Sequence, residues 1–279
     1  MSDALPSAWG TNHGGRLTAL VEVALAAGES TLAHFQSQSL QIERKQDDSP
    51  VTIADREAEQ LTRKTLAEWF PDDTLSGEEY ADTEGSSAYR WTVDPIDGTK
   101  SFICGVPLYS TLLALEFENV PIAGAIIIPA LGESIVASLG LGCFHRLGDG
   151  PWTAASVSTT ADLSEAVFVT SEAVTFSQRG KGSLGDWEVF ERLQAATRLT
   201  RTWGDGYGYL LVATGRADVM VDPICNAWDV APMVPILSES GGRFTDWTGD
   251  TNVRGGDGLG TNGLLHDAVF ELLSQDRLS

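Results

Sequence analysis

Between residues 18 and 37 apolar side chains recur at helical spacing, at Leu20, Val21, Ala24, Leu25, Leu32 and Phe35, which predicts a helix with one buried face. Residues 52–70 repeat the pattern and stop at Pro71; this predicts a second helix, antiparallel to the first and on the same face of a sheet. From Tyr89 the period changes. Residues 89–93, 110–117, 122–128 and 134–138 are short runs of apolar and β-branched residues separated by turn residues, and they predict an antiparallel sheet. Beyond Pro151 strands and helices alternate: strand 167–170, helix 186–196, strand 199–203, helix 207–214 ending at Gly215, strand 217–221, and helix 229–239 closed by Gly241 and Gly242. Two halves follow, an α+β half over residues 1–150 and an α/β half over 151–279, and layered sheets sandwiched by helices accommodate both.

At 279 residues and 42% hydrophobic content the chain can bury one large core or two closely packed halves. The first 16 residues hold no apolar core flanked by basic residues, and no later run has the length of a membrane span, so a cytoplasmic protein is expected. Cys104, Cys143 and Cys225 are odd in number and widely spaced. They are expected to be small buried hydrophobes, not disulfides or zinc ligands. Eighteen basic residues against 39 acidic ones give a net charge of -21, which argues against nucleic acid or an anionic membrane as partner. An anionic substrate would need strong local positive charge on such a protein, and bound divalent cations are the largest such charges available.

The stretch Trp91-Thr92-Val93-Asp94-Pro95-Ile96-Asp97-Gly98-Thr99 carries the most chemistry. A strand runs into Asp94, Pro95 has no N–H for the ladder, and Asp97-Gly98-Thr99 forms a turn. The break allows Asp94, the Ile96 carbonyl and Asp97 to converge as the all-oxygen environment that Mg²⁺ prefers; an ordinary Asp-Gly turn is the alternative. Two more acidic groups stand apart in sequence: Gly77-Glu78-Glu79 just before this strand, and Trp228-Asp229 at the start of a helix. The spacing Asp-x-x-Asp speaks against the Asp-x-Asp-x-Thr pattern of an aspartate nucleophile. His13, His34, His145 and His266 lie in no catalytic-looking context and read as surface or packing residues.

Together, in this order and spacing, Gly77-Glu78-Glu79, Asp94-Pro95-Ile96-Asp97-Gly98-Thr99 and Trp228-Asp229-Val230-Ala231 resemble the signature set of the inositol monophosphatase family. Ser49-Pro50-Val51-Thr52-Ile53-Ala54-Asp55, Leu211-Val212-Ala213-Thr214-Gly215-Arg216-Ala217-Asp218 and Glu239-Ser240-Gly241-Gly242 are similar to further motifs of that family. The resemblance runs from about Glu43 to the C-terminus. It implies an αβαβα sandwich and a homodimer. It also implies two or three Mg²⁺ ions held by Glu78, Asp94, the Ile96 carbonyl, Asp97 and Asp229, with Thr99 paired to Asp55 to orient a nucleophilic water alongside Glu78. Such a site hydrolyses a small phosphorylated metabolite without a covalent intermediate, and the Gly98 and Thr99 N–H groups are positioned to bind phosphate oxygens.

The leaving group is expected to be read from the second half, over residues 201–209 and 221–228, and there the pattern Trp203-Gly204-Asp205-Gly206-Tyr207-Gly208-Tyr209 resembles the histidinol-phosphate phosphatase branch of the family. Histidinol phosphate carries an amine and an imidazole, so carboxylates such as Asp205 and Asp222 suit it, whereas a polyol needs mainly hydrogen-bonding groups. Arg201, Gly204, Asp205, Asp222 and Asp229 are the candidate substrate contacts. Two alternatives stay open: Tyr207 and Tyr209 as core residues with Asp205 as a helix cap, and inositol 1-phosphate or a related polyol or nucleotide phosphate as substrate. A catalytically silent, regulatory relative is a third reading; every metal position keeps an oxygen ligand, which speaks against it.

Overall fold

The computed structural model describes residues 5–38, 40, 42–44, 50–179 and 186–274; Ser49 of the early motif lies outside them. The chain opens with α1 (Ala8–Thr11), α2 (Arg16–Thr31), the short pair β1 (Ile42–Arg44) and β2 (Pro50–Thr52), and α3 (Ile53–Trp69). Then come β3 (Thr74–Gly77), β4 (Tyr89–Asp97), α4 (Thr99–Ile103), β5 (Ser110–Phe117), β6 (Val120–Ile128), β7 (Glu133–Ser138), β8 (Gly142–Leu147) and β9 (Thr153–Ala154). After them follow β10 (Val167–Val169), α5 (Val174–Gln178), α6 (Trp187–Ala196), β11 (Leu199–Arg201), α7 (Asp205–Ala213) and β12 (Val219–Asp222). The chain continues with α8 (Ala227–Val230), α9 (Met233–Ser240), β13 (Arg243–Thr245), β14 (Gly258–Thr261) and α10 (His266–Ser274).

Strands β3 to β9 form one seven-stranded sheet in sequence order, antiparallel throughout except for the parallel β3–β4 pair. The second sheet has the order β11-β10-β12-β14-β13 and is mixed. Side chains alternate across a strand, and that alternation sets the layers. On β5, Leu113 and Leu115 face Leu17, Leu20 and Ala24 of α2, while Leu112 and Ala114 face the opposite way toward Leu210, Val212, Met233 and Leu237 of α7 and α9. Beyond those central helices, Val167, Val169 and Met220 line the near face of the second sheet, and Phe168, Val219 and Val221 its far face. The far face is covered by Phe176, Phe190, Leu193 and Val269 from α5, α6 and α10. Helix, sheet, helix, sheet, helix is the resulting order, an αβαβα sandwich.

Three expectations change. The first helix ends at Thr31, not near residue 37; Phe35 lies in the following turns and packs on Phe102 and Tyr109. The helix expected over 229–239 is two, α8 and α9. Proline is tolerated only where its missing N–H is not needed, and with Pro232 and Pro235 close together the chain breaks after Val230 and restarts at Met233. Cys143 and Cys225 are buried as expected, but Cys104 is exposed after α4. Among the described residues no helix is long and apolar enough to cross a membrane.

Candidate active site

The β4–β5 ladder is regular as far as Asp94 opposite Leu112, then shifts register and resumes with Asp97 opposite Ser110. Pro95 sits in the gap without an N–H to give, and its carbonyl accepts the Thr111 hydroxyl at 2.7 Å. The shift brings two buried aspartates to the end of one strand. Asp94 accepts the Ile96 N–H at 3.0 Å. Asp97 accepts the Ser110 hydroxyl at 2.8 Å and the Gly206 N–H at 2.5 Å. That second bond requires glycine at 206, because a Cβ there would lie 2.4 Å from Ser110 Oγ and 3.0 Å from Asp97 Oδ2.

Asp229 arrives from far along the chain, in the first turn of α8. It accepts the N–H of the N-cap residue Asn226 at 2.6 Å, one arm of a capping box. One carboxylate oxygen from each of Asp94, Asp97 and Asp229 lies within 4.8 Å of the others. The parallel register of β3 and β4 sets Gly77 beside Val93, so Glu78 emerges next to Asp94 and lines the same cavity.

This cluster is electrostatically unsatisfied. Burial, then the charges of Glu78, Asp97 and Asp229, push Asp94 well above the usual carboxylate range. Burial, then Asp205 and Asp229, do the same to Asp97. Asp229 rises to about 7, again mainly by burial, against the opposing Asn226 N–H. Like charges crowded in a low dielectric need either protons or cations. With an all-oxygen donor set on rigid elements, the residues fit a hard divalent cation.

Asp55 and Thr99 stand beside the cluster. Asp55 is buried in the first turn of α3, where it accepts the Thr52 N–H at 2.8 Å and the Thr52 hydroxyl at 2.5 Å, while the Thr52 hydroxyl oxygen caps Ala54 N–H. Burial lifts it to about 6 against those bonds, with a further upward push from Glu78. The Thr99 hydroxyl reaches the Ile96 carbonyl at 3.2 Å and Asp55 Oδ1 at 3.5 Å. Gly98, at φ 84, holds the left-handed conformation that lets the chain turn from β4 into α4.

A cavity of about 440 Å³ opens over these groups and is lined by Glu78, Asp97, Gly98, Thr99, Asp205, Asp222 and Asp229; Asp94 and Ile96 are buried beneath. One side of it is a polar relay in which Ser171 donates to Asp222 at 2.6 Å and accepts the Asp205 N–H at 2.9 Å. Burial raises Asp222 to about 7 and raises Asp205 as well. Asp205 is not the helix cap; Gly204 is, packed against the Ser171 backbone. Tyr209 is a core residue with Tyr207 half-buried against the same core, and Tyr209 also lines the cavity. Arg201 lies outside the lining, exposed on β11, and donates to the Thr200 carbonyl at 2.7 Å. None of the four histidines lines the cavity; His266 bridges Thr245 and Thr261 in the core. Sequence reasoning misses Ser110, Ser171 and the Lys100–Glu172 ion pair at the cavity wall. None of these carries a local motif; only the spacing of Thr52 and Asp55, that of a capping box, was there to be read.

The fold and site define a layered α/β protein with a buried acidic centre between its two sheets. The family model of the inositol monophosphatase family matches residues 16–277, and the chain belongs to that family. It is 42% identical over 239 residues to a histidinol-phosphatase of Chlorobaculum parvum, covering 86% of this chain and 88% of the relative. A histidinol-phosphatase of Mycobacterium tuberculosis is 36% identical over 263 residues, 91% of this chain and 97% of the relative. Among solved structures, a Thermotoga maritima IMPase superposes with a TM-score of 0.81 at 30% identity, covering 93% of this chain and 97% of that one.

Proposed function

We propose that the chain is a Mg²⁺-dependent phosphomonoesterase that hydrolyses histidinol phosphate to histidinol and phosphate. The observation that supports the substrate is the pair of buried carboxylates, Asp205 and Asp222, that line the cavity beside the acidic cluster. Burial disfavours the charged form of both carboxylates; an amine or imidazolium offsets that with charge-assisted hydrogen bonds, which a neutral polyol cannot supply. The names of the two relatives support the same reading.

In this reading Asp94, Asp97, Asp229, Glu78 and the Ile96 carbonyl hold the ions. When bound, divalent cations lower the pKa of water and neutralise charge on the transferring phosphoryl group. The chain's own groups supply geometry and proton handling. Gly98 and Thr99 offer backbone N–H groups to phosphate oxygens at the turn. The Thr99 hydroxyl orients the attacking water, and buried Asp55, whose Oδ1 lies 3.5 Å from that hydroxyl, is the group placed to accept the proton. Thr99→Ala is therefore expected to lower kcat by about 10²-fold or more with the Mg²⁺ concentration for half-maximal rate nearly unchanged. Steady-state rates across a Mg²⁺ series check this, and a shift in that concentration like a ligand variant's would show Thr99 to be part of the metal site.

Substrate choice is tested by rates on histidinol phosphate and inositol 1-phosphate. Asp205→Asn and Asp222→Asn are each expected to cost about 1.5–3 kcal/mol in kcat/KM for histidinol phosphate and much less for inositol 1-phosphate. Equal losses on both substrates would point to a damaged site. Faster wild-type hydrolysis of inositol 1-phosphate would overturn the substrate while leaving the acidic centre's role standing. A homodimer in the cytoplasm belongs to the same proposal, and light scattering on the eluting protein checks the dimer.

A further inference from the structure

Glu59 and Arg63 are outside the cavity lining, yet they grip the loop that carries Glu78. Glu59 lies one turn after Asp55 on α3, so both carboxylates project from the same face of the helix, and both are fully buried. Glu59 Oε2 accepts the Glu79 N–H at 2.8 Å, and Oε1 accepts Arg63 Nε–H at 2.7 Å. From the other end of the guanidinium, Nη2 donates to the Tyr80 carbonyl at 2.9 Å. Nη1 reaches the Leu75 carbonyl and the Thr83 hydroxyl at 3.5 Å. The chain is shaped to admit this grip, since a Cβ at Gly77 would fall 2.3 Å from Glu59 Oε1. The residues on both sides of Glu78 are thus fitted to one buried carboxylate, on the helix that also presents Asp55 to Thr99.

We propose that Glu59 and Arg63 are positioning residues that set where Glu78 stands relative to Asp94, Asp97 and Asp229, and so set the affinity for a divalent ion that Glu78 shares. The inference rests on the metal-dependent reading of the site. Burying an ion pair is a poor way to gain stability, because apolar residues of similar size often serve as well or better. It is a good way to fix a backbone N–H and a carbonyl of a ligand-bearing loop, as partners behind metal ligands commonly do.

The test is Mn²⁺ binding followed by electron paramagnetic resonance on the full chain, beside thermal melts in chelator. Glu59→Leu is expected to weaken Mn²⁺ binding by about 10-fold or more. Glu59→Gln should recover most of it, because its amide oxygen can still accept the Glu79 N–H. Leu66→Ala, a core change on the same helix, should lower the Tm while leaving Mn²⁺ affinity within about twofold. If Glu59→Leu does not fold, Arg63→Gln carries the test with the same expectation, since it removes the charge and the hold on Tyr80. Unchanged affinity in the folded variants, or an equal loss in Leu66→Ala, overturns the positioning role. Wild-type protein that binds no Mn²⁺ overturns the metal reading itself, and the positioning role with it, and is told apart from the first result by the wild-type titration alone.

Discussion

Replacing Asp97 with asparagine is expected to lower turnover on the order of 10³-fold and, at the same time, to raise the melting temperature of the metal-free protein by a few degrees. The two effects share a cause. Asp97 is buried and pushed well above its ordinary pKa by burial, Asp205 and Asp229, so its charged form carries a repulsion that a proton or a cation relieves. Asparagine has nearly the same shape, and its amide oxygen can still accept the Gly206 N–H that Asp97 now accepts at 2.5 Å. The anionic ligand is lost while the local structure is kept. Calorimetry in chelator and single-turnover rates with saturating Mg²⁺ measure the two arms. A variant that melts lower and retains activity would mean that Asp97 is a structural hydrogen-bond acceptor and nothing more.

The elements legible from periodicity are those whose burial is one-sided or whose apolar run is long. β5 is found at its expected bounds, Ser110–Phe117, because every residue as far as Glu116 is buried in a sheet covered on both faces. α3 is found within one residue at each end, since Thr52 caps its start and Pro71 limits its end. Strand β14, reading Gly-Leu-Gly-Thr, escapes notice because glycine weakens the strand signal. The fold supplies the reason for those glycines: a Cβ at Gly258 or Gly260 would strike the Tyr209 ring or its hydroxyl at 2.7 to 2.9 Å. β13 and β3 are three and four residues long, too short to show a period.

In the site, the acidic groups declare themselves because their motifs are local: Asp94 to Thr99 is one register shift and one turn. The convergence of Asp229 with Asp94 and Asp97 is not local; it depends on a central helix layer that brings the start of α8 over the end of β4. Ser171 is invisible for the same reason. It joins Asp205 and Asp222 from the loop after β10, 34 and 51 residues away, and only the parallel pairing of β10 with β11 and β12 brings these positions together. The exposed position of Arg201 has a similar origin: β11 is the edge strand of its sheet, and its last residue looks outward.

Divalent ions are expected to stabilise the protein far more at pH 8 than at pH 5. Asp222 and Asp229 have folded pKa values of about 7 and Asp55 of about 6, each above its ordinary value. For such groups the native state binds more protons than the unfolded chain at any pH between about 4 and 7, so metal-free stability falls as pH rises through that window. A tenfold change in proton affinity is worth about 1.4 kcal/mol, and with several groups raised together the loss by pH 8 is on the order of several kcal/mol. Buried His266 contributes in the opposite direction. Its pKa is lowered to about 4, mainly by burial, so its share of stability is fully present above about pH 6.5 and is lost as pH falls toward 4. That contribution is the same with and without metal, and taking the difference in Tm between Mg²⁺ and chelator at each pH removes it. A cation that replaces protons on the Asp94, Asp97 and Asp229 cluster gains most where the protons are already gone. The difference in Tm should therefore grow steadily from pH 5 to pH 8, and Asp229→Asn should flatten it. A difference independent of pH would mean that the ions bind elsewhere on this strongly acidic surface.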